Sequence, residues 1–268
     1  MTILLVWVYM FANHLSVEGL IFNIVSIPKK LTNTENSRKF SYSGPPPSHE
    51  IWDDLLAQHV DGIGLVRYEG FEHNRIQLQS YLQSLSQHPP NDTWSTNEKM
   101  AYWINAYNAF TVELILMHQP VQSIKEIGGD IPMINTTWDI QFFEIEGIPF
   151  DLNTIEHLIL RKEFDDPRIH FAINCASMSC PKLLDEAYRG DSLNNQLNQQ
   201  TKEFLLDSDK NYFEDGRFVI SPIFKWFSED FGSVTDIRSF IESQSGLDLG
   251  NTKSFTYSVY NWSLNQSR

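Results

Sequence analysis

Apolar residues in this chain change spacing several times, and each spacing predicts an element. Ile51, Leu55 and Leu56 fall at helical intervals with Val60 closing the stripe, and Gly62 to Tyr68 reads as a short strand. Ile76, Leu78, Tyr81, Leu82 and Leu85 predict a second helix that stops before Pro89-Pro90. Ser95-Thr96-Asn97-Glu98 has the form of a capping box, in which the serine oxygen accepts an orphan N–H and the glutamate reaches back to the cap. Behind it Met100 to Met117 is almost wholly apolar, the mark of a helix buried on all sides.

Shorter elements follow. Trp138 to Phe143 and Ile145 to Phe150 flank Glu146-Gly147 and predict a hairpin. Asp151 or Asn153 caps a short helix running through Leu160 and Arg161, and Arg168 to Asn174 reads as a buried strand. Pro181 suits the first turn of a following helix. Helices are expected over Asn194 to Leu206 and Val234 to Ile241. Strands are expected at the start of Arg217 to Phe227 and over Phe255 to Trp262. Long helices come first and scattered strands follow, without βαβ alternation. The pattern predicts an α+β fold: a central buried helix, with further helices packed on a mostly antiparallel sheet.

The first 12 residues are nearly all apolar, and apolar residues continue to Pro28 with breaks at Asn13, His14, Glu18 and Asn23. No Lys or Arg precedes Lys29, which departs from a secretory leader, and the polar breaks depart from a membrane span. A leader, a weak membrane attachment through residues 1–28 and a packed apolar arm all fit, so export, membrane attachment and a cytoplasmic location stay open. The polar stretch from Thr32 to Ser48 ends in Gly44-Pro45-Pro46-Pro47, a stiff extended connector. The expected organisation is an arm over 1–31, a linker over 32–48 and one α+β domain over 49–268. With 34 acidic against 20 basic residues the net charge is -14, which disfavours nucleic acid as a partner.

The chain has two cysteines, Cys175 and Cys180, in one short segment. They would sit at a strand end and at a helix mouth, where partial positive charge stabilises a thiolate. Two free thiols, a small disulfide loop and a buried apolar pair fit the same residues. His157 and His170 are the candidate bases. Asn105 and Asn108, at i and i+3 in the apolar helix, either serve a catalytic base or ligand or satisfy a loop backbone. Glu156 is expected to pair with Arg161 or Arg168. A metal set of Cys175, Cys180, His157 and His170 lacks ligand-pair spacing. No nucleotide loop, dinucleotide fingerprint, zincin motif, nucleophile elbow or C-x-x-C occurs, and no cofactor is expected.

Several separated motifs, in order, resemble one family. They are Glu98 to Thr111 (EKMAYWINAYNAFT), Leu152 to His157 (LNTIEH), Ile169 to Cys175 (IHFAINC) with Ser179-Cys180-Pro181, and the closing Tyr260 to Asn265 (YNWSLN). The sequence resembles the domain of unknown function 547 family over roughly Glu50 to Asn265. The resemblance implies a compact α+β domain, and a papain- or transglutaminase-like cysteine hydrolase is the activity suggested for it. The order His157 before Cys175 reverses the papain-like order and would require a rearranged topology.

Two functions are expected from these residues. In the first, a thiol hydrolase or acyl transferase acts on a peptide or small molecule. Cys175 attacks a carbonyl, His157 or His170 takes its proton, and Asn105 orients the base. N–H groups near Ser179 and Cys180 receive the oxyanion, with Asn108, Asn174 and Ser179 contacting substrate. In the second, the Cys/His/Asn cluster is structural and an aromatic groove binds a peptide or glycan.

Overall fold

The computed structural model describes residues 40–128 and 136–267. The apolar arm and the start of the polar connector lie outside them. Four helices come first: α1 (Glu50–His59), α2 (Tyr68–His73), α3 (Arg75–Gln87) and α4 (Thr96–His118). The capping box is in place, with Ser95 accepting from the Glu98 N–H and Glu98 accepting from the Ser95 N–H. Helix α4 is buried from Met100 to Val112 without interruption. Helices α2 and α3 and the segment Thr154–Leu160 pack on it.

The predicted hairpin is shorter than its apolar runs. Strands β1 (Phe143–Ile145) and β2 (Ile148–Phe150) pair antiparallel, with Ile145 opposite Ile148. Glu146 and Gly147 make the turn with φ of 48° and 70°, the two left-handed positions a tight hairpin needs. Glu146 tolerates that strain because its groups are engaged. Its N–H donates to the Ser86 carbonyl, and its carboxylate accepts the N–H groups of Ser41 and Tyr42. The proline-rich stretch is thereby laid along the domain from Phe40 onward. Phe40 stands 6.3 Å from Trp103 by ring centroids, and the Gly44 carbonyl accepts from Asn91 and Trp94.

Three predicted elements take another form. Gly62 to Tyr68 holds only isolated bridges at Val66, because Asp61 accepts the Ile63 and Leu65 N–H groups and closes a turn. Arg168 to Asn174 is not a strand. Pro167 opens a 3-10 helix, Pro167–Phe171, that Asp166 caps through the Arg168 N–H. A short apolar run is consistent with either conformation, and the proline with its cap decides it. No helix follows Pro181: the chain runs irregularly until α5 (Leu193–Leu206).

The C-terminal part has its own sheet. Strands β3 (Tyr212–Glu214) and β4 (Arg217–Ile220) pair antiparallel, and β4 pairs parallel with β5 (Thr256–Tyr257), the only strand within Phe255 to Trp262. Helix α6 (Val234–Ser245) packs on α5. Among the described residues there are two apolar clusters. The larger surrounds α4; the smaller gathers Phe204, Phe218, Phe224, Phe231 and Ile241. The 3-10 segment serves both, since Ile169, Ala172 and Ile173 belong to the first and Phe171 to the second. Among the described residues no helix is long and apolar enough to cross a membrane.

Ile104 is fully buried in α4. Replacing it with alanine is expected to destabilise the domain by about 3 kcal/mol, through lost transfer energy and a residual cavity. The exposed cap change Ser95→Ala is expected to cost about 1 kcal/mol. Urea unfolding of the two variants checks both values and their order.

Candidate functional site

Two buried amides on α4 hold the loops that make the site. Asn105 donates to the Tyr188 carbonyl at 2.8 Å and accepts its N–H at 3.0 Å. Asn108 donates to the Ala172 carbonyl at 3.0 Å and accepts the Asn174 N–H at 2.8 Å. Asn174 continues the chain of bonds, accepting from the Ala176 N–H and from Asn265 and donating to the Pro181 carbonyl. Each amide uses both its oxygen and its nitrogen, so burial leaves no polar group orphaned. Asn105 therefore positions Tyr188, and among the described residues it is not hydrogen-bonded to a histidine.

Within this frame Cys175 and Cys180 are joined by a disulfide, with Cα atoms 6.1 Å apart. The Cys175 N–H also donates to the Cys180 Sγ at 2.8 Å. Cys180 is buried and Cys175 half-buried. The helix expected beyond Pro181 is absent, so the helical N-terminus predicted at Cys180 is not formed. The partners of Cys175 Sγ are hydroxyls: Ser177 and Tyr260, each at 3.3 Å.

The rest of the loop grips the C-terminal segment. The Met178 N–H donates to the Ser263 carbonyl, the Ser179 N–H to the Asn261 carbonyl, and the Asn261 N–H to Ser179 Oγ. Ser179 is thus occupied by that segment. The segment carries a shelf of half-buried rings. Tyr260 lies 4.4 Å from Trp262 and 4.8 Å from Trp226, and Trp262 lies 6.0 Å from Trp138. Lys125 Nζ stands 4.4 Å above Trp262, a cation–π contact.

Beside the loop, Thr154–Leu160 is a π-helix, started where Asp151 accepts the Thr154 N–H. Such turns are rare and occur often at functional sites. Glu156 accepts from the Tyr107 hydroxyl at 3.1 Å. The guanidiniums expected to pair with it bond other carboxylates: Arg161 binds Asp230 through two nitrogens, and Arg168 binds Asp166. Arg161 also donates to His157 Nδ1 at 2.8 Å, which leaves His157 Nε2 as the N–H. His170 Nε2 donates to Asp230 at 2.7 Å, and its ring stacks on Phe227 at 4.0 Å. Among the described residues neither imidazole is hydrogen-bonded to a cysteine sulfur.

The electrostatics follow from this packing. Burial pushes the His170 imidazole down, outweighing the hydrogen bond and charge of Asp230. Burial also lowers His157, with Glu156 opposing and Arg161 adding to the shift. Burial alone would raise Asp230, but hydrogen bonds from His170 and Arg161 hold its carboxyl well below the usual range. Burial pushes the Tyr260 hydroxyl up, so it stays protonated. Among the described residues no His, Cys, Asp or Glu group is placed to hold a metal ion. A separate groove of about 970 Å³ lies between α3 and the hairpin, lined by Leu82, Ser86, Phe143, Glu146 and Pro149. Neither cysteine, neither candidate histidine and none of the site amides lines it.

Sequence reasoning missed Asp230, Ser177, Tyr107 and the role of Asn265. Asp230 lies in an exposed-looking Ser-Glu-Asp run with no periodic signal. Tyr107 lies within the uniformly apolar helix, where nothing marks one hydroxyl for a carboxylate.

Two outcomes are expected. Intact-mass measurement after alkylation without reductant finds both cysteines unmodified. After reduction, half-buried Cys175 reacts faster than buried Cys180. Below about pH 6.5 the unfolded imidazoles take up protons that the buried rings refuse, so stability is full above that pH and falls as pH drops. Urea unfolding between pH 7.5 and 5.5 should show this slope, and His170→Gln should flatten it.

No similar protein is found among the curated proteins, and no similar chain among the solved structures. Residues 91–205 match the family described as "Protein of unknown function, DUF547". This stretch takes in α4, the hairpin, the π-helix, the disulfide loop and nearly all of α5. The matched family is the one that the chain's motifs resemble, the domain of unknown function 547 family.

Proposed function

We propose that this domain is a binding module for a peptide or glycan, with the shelf of Trp138, Trp226, Tyr260 and Trp262 as its recognition face. The carrying observation is the shelf itself: rings with centroids 4.4 to 6.0 Å apart, all half-buried. Aromatic rings with one wet face offer a large apolar area at low entropic cost, and nearby polar groups fix orientation. Exposed Lys125, with Nζ 4.4 Å over the Trp262 ring, supplies such a group. The amide network supports the reading, because Asn105, Asn108 and Asn174 are fully engaged in holding loops.

A thiol hydrolase has less to rest on. Cys175 Sγ is bonded to Cys180, its neighbours are hydroxyls, and both imidazoles are committed to Arg161 and Asp230. That chemistry would require the disulfide open and a base other than these rings.

Tryptophan fluorescence of the full chain, titrated with glucose and N-acetylglucosamine hexamers and with a phage-selected peptide, tests the binding reading. Saturable change with one probe class is expected. Trp262→Ala should weaken binding at least about tenfold with an unchanged melting temperature. Equal binding by Trp262→Ala, or no response to any probe, would count against the shelf.

A further inference from the structure

We propose that the Cys175–Cys180 disulfide is a reducible latch that fastens Tyr260 and Trp262 to the domain, so that a dithiol reductant loosens the aromatic shelf. The latch is argued from what each side of the loop holds. Both ends of the loop are pinned without the disulfide: Asn108 accepts the Asn174 N–H, and Asn174 accepts the Ala176 N–H and donates across the loop to the Pro181 carbonyl. The residues inside the ring do the gripping. Met178 and Ser179 make three hydrogen bonds to Asn261 and Ser263, and Ser177 and Cys175 meet the Tyr260 hydroxyl.

Farther along, the C-terminal segment meets the ring again, the Asn265 N–H donating to the Ala176 carbonyl and Leu264 bridging Ser177, and it also has anchors outside the ring. The Leu264 N–H donates to the Gln122 carbonyl, the Val66 N–H to the Asn265 carbonyl, and the Ser267 N–H to the Val66 carbonyl. Tyr68 donates to Asn265 Oδ1 at 2.7 Å. Opening the ring thus frees the stretch from Tyr260 to Ser263 and leaves Leu264 to Ser267 in place. The strained position inside the ring agrees: Ala176 holds φ of 58°, which a residue with a Cβ adopts only when its surroundings impose it.

The less buried sulfur decides the course of reduction. A thiolate of the dithiol attacks half-buried Cys175 Sγ, the S–S bond breaks, and Cys180 leaves as a thiolate that is then protonated. The second thiol of the reductant attacks the mixed disulfide and expels the Cys175 thiolate. Two electrons pass from the dithiol to the cystine, giving two protein thiols and one cyclic oxidised dithiol. The consequence for ligand binding rests on the shelf being the recognition face; the latch itself does not.

Amide hydrogen exchange on the full chain tests it in three forms: oxidised, reduced with dithiothreitol, and the double variant Cys175→Ser/Cys180→Ser. Exchange at Met178, Ser179 and Asn261 should speed up about tenfold or more in both open forms, with Val66 and Ser267 unchanged. A change below twofold at the first three amides in both open forms would overturn the latch. So would an equal loss of protection at all five, which would make the disulfide a general staple. Local loosening with undiminished binding of the titrated probe would keep the latch and remove the shelf as recognition face.

Discussion

A helix that is apolar on every side must be covered on every side. Helix α4 imposes that constraint here, and the architecture of the larger cluster is the response to it. Helices α2 and α3, the hairpin and the π-helix close around it. So does the extended stretch from Phe40, which would otherwise have no reason to leave solvent. A buried helix cannot carry polar side chains without partners on the covering elements. Asn105 and Asn108 find theirs in backbone groups of loops that have no ladder of their own. The irregular chain from Ala172 to Tyr188 is ordered because a helix interior supplies its missing bonds.

This arrangement explains why some of the molecule could be read from sequence and some could not. Helices with periodic or uniform apolar patterns were legible, as were the capping box at Ser95 and the Glu146-Gly147 turn, since each is a local signal with a local cause. The α+β class followed from their order. The segment from Arg168 to Asn174 was misread because it is buried from Ile169 to Asn174. Burial on all sides erases the difference between a two-residue and a three-residue period. The helix imagined after Pro181 rested on the proline alone.

The site was legible as a neighbourhood and not as a set of bonds. Asn105, Asn108, Asn174, Cys175, Ser179 and Cys180 do converge on one loop. The two histidines belong to a different arrangement, in which Asp230 joins His170 to Arg161 and Arg161 reaches His157. That carboxylate is 60 residues from His170 in the chain. No spacing rule links positions so distant, and only the folding of the smaller cluster onto the larger brings them together.

The 3-10 segment Pro167–Phe171 has a further consequence. Its neighbouring side chains are shared between two hydrophobic clusters, with Phe171 turned to one and Ile169 and Ala172 to the other. One residue of such a helix corresponds to about a third of a turn. An insertion or deletion here would therefore rotate every later side chain out of phase with both cores at once, whereas a surface turn such as Asp215-Gly216 would absorb the same change. The segment acts as a phase marker for the fold, and length variation is the kind of mutation it tolerates least.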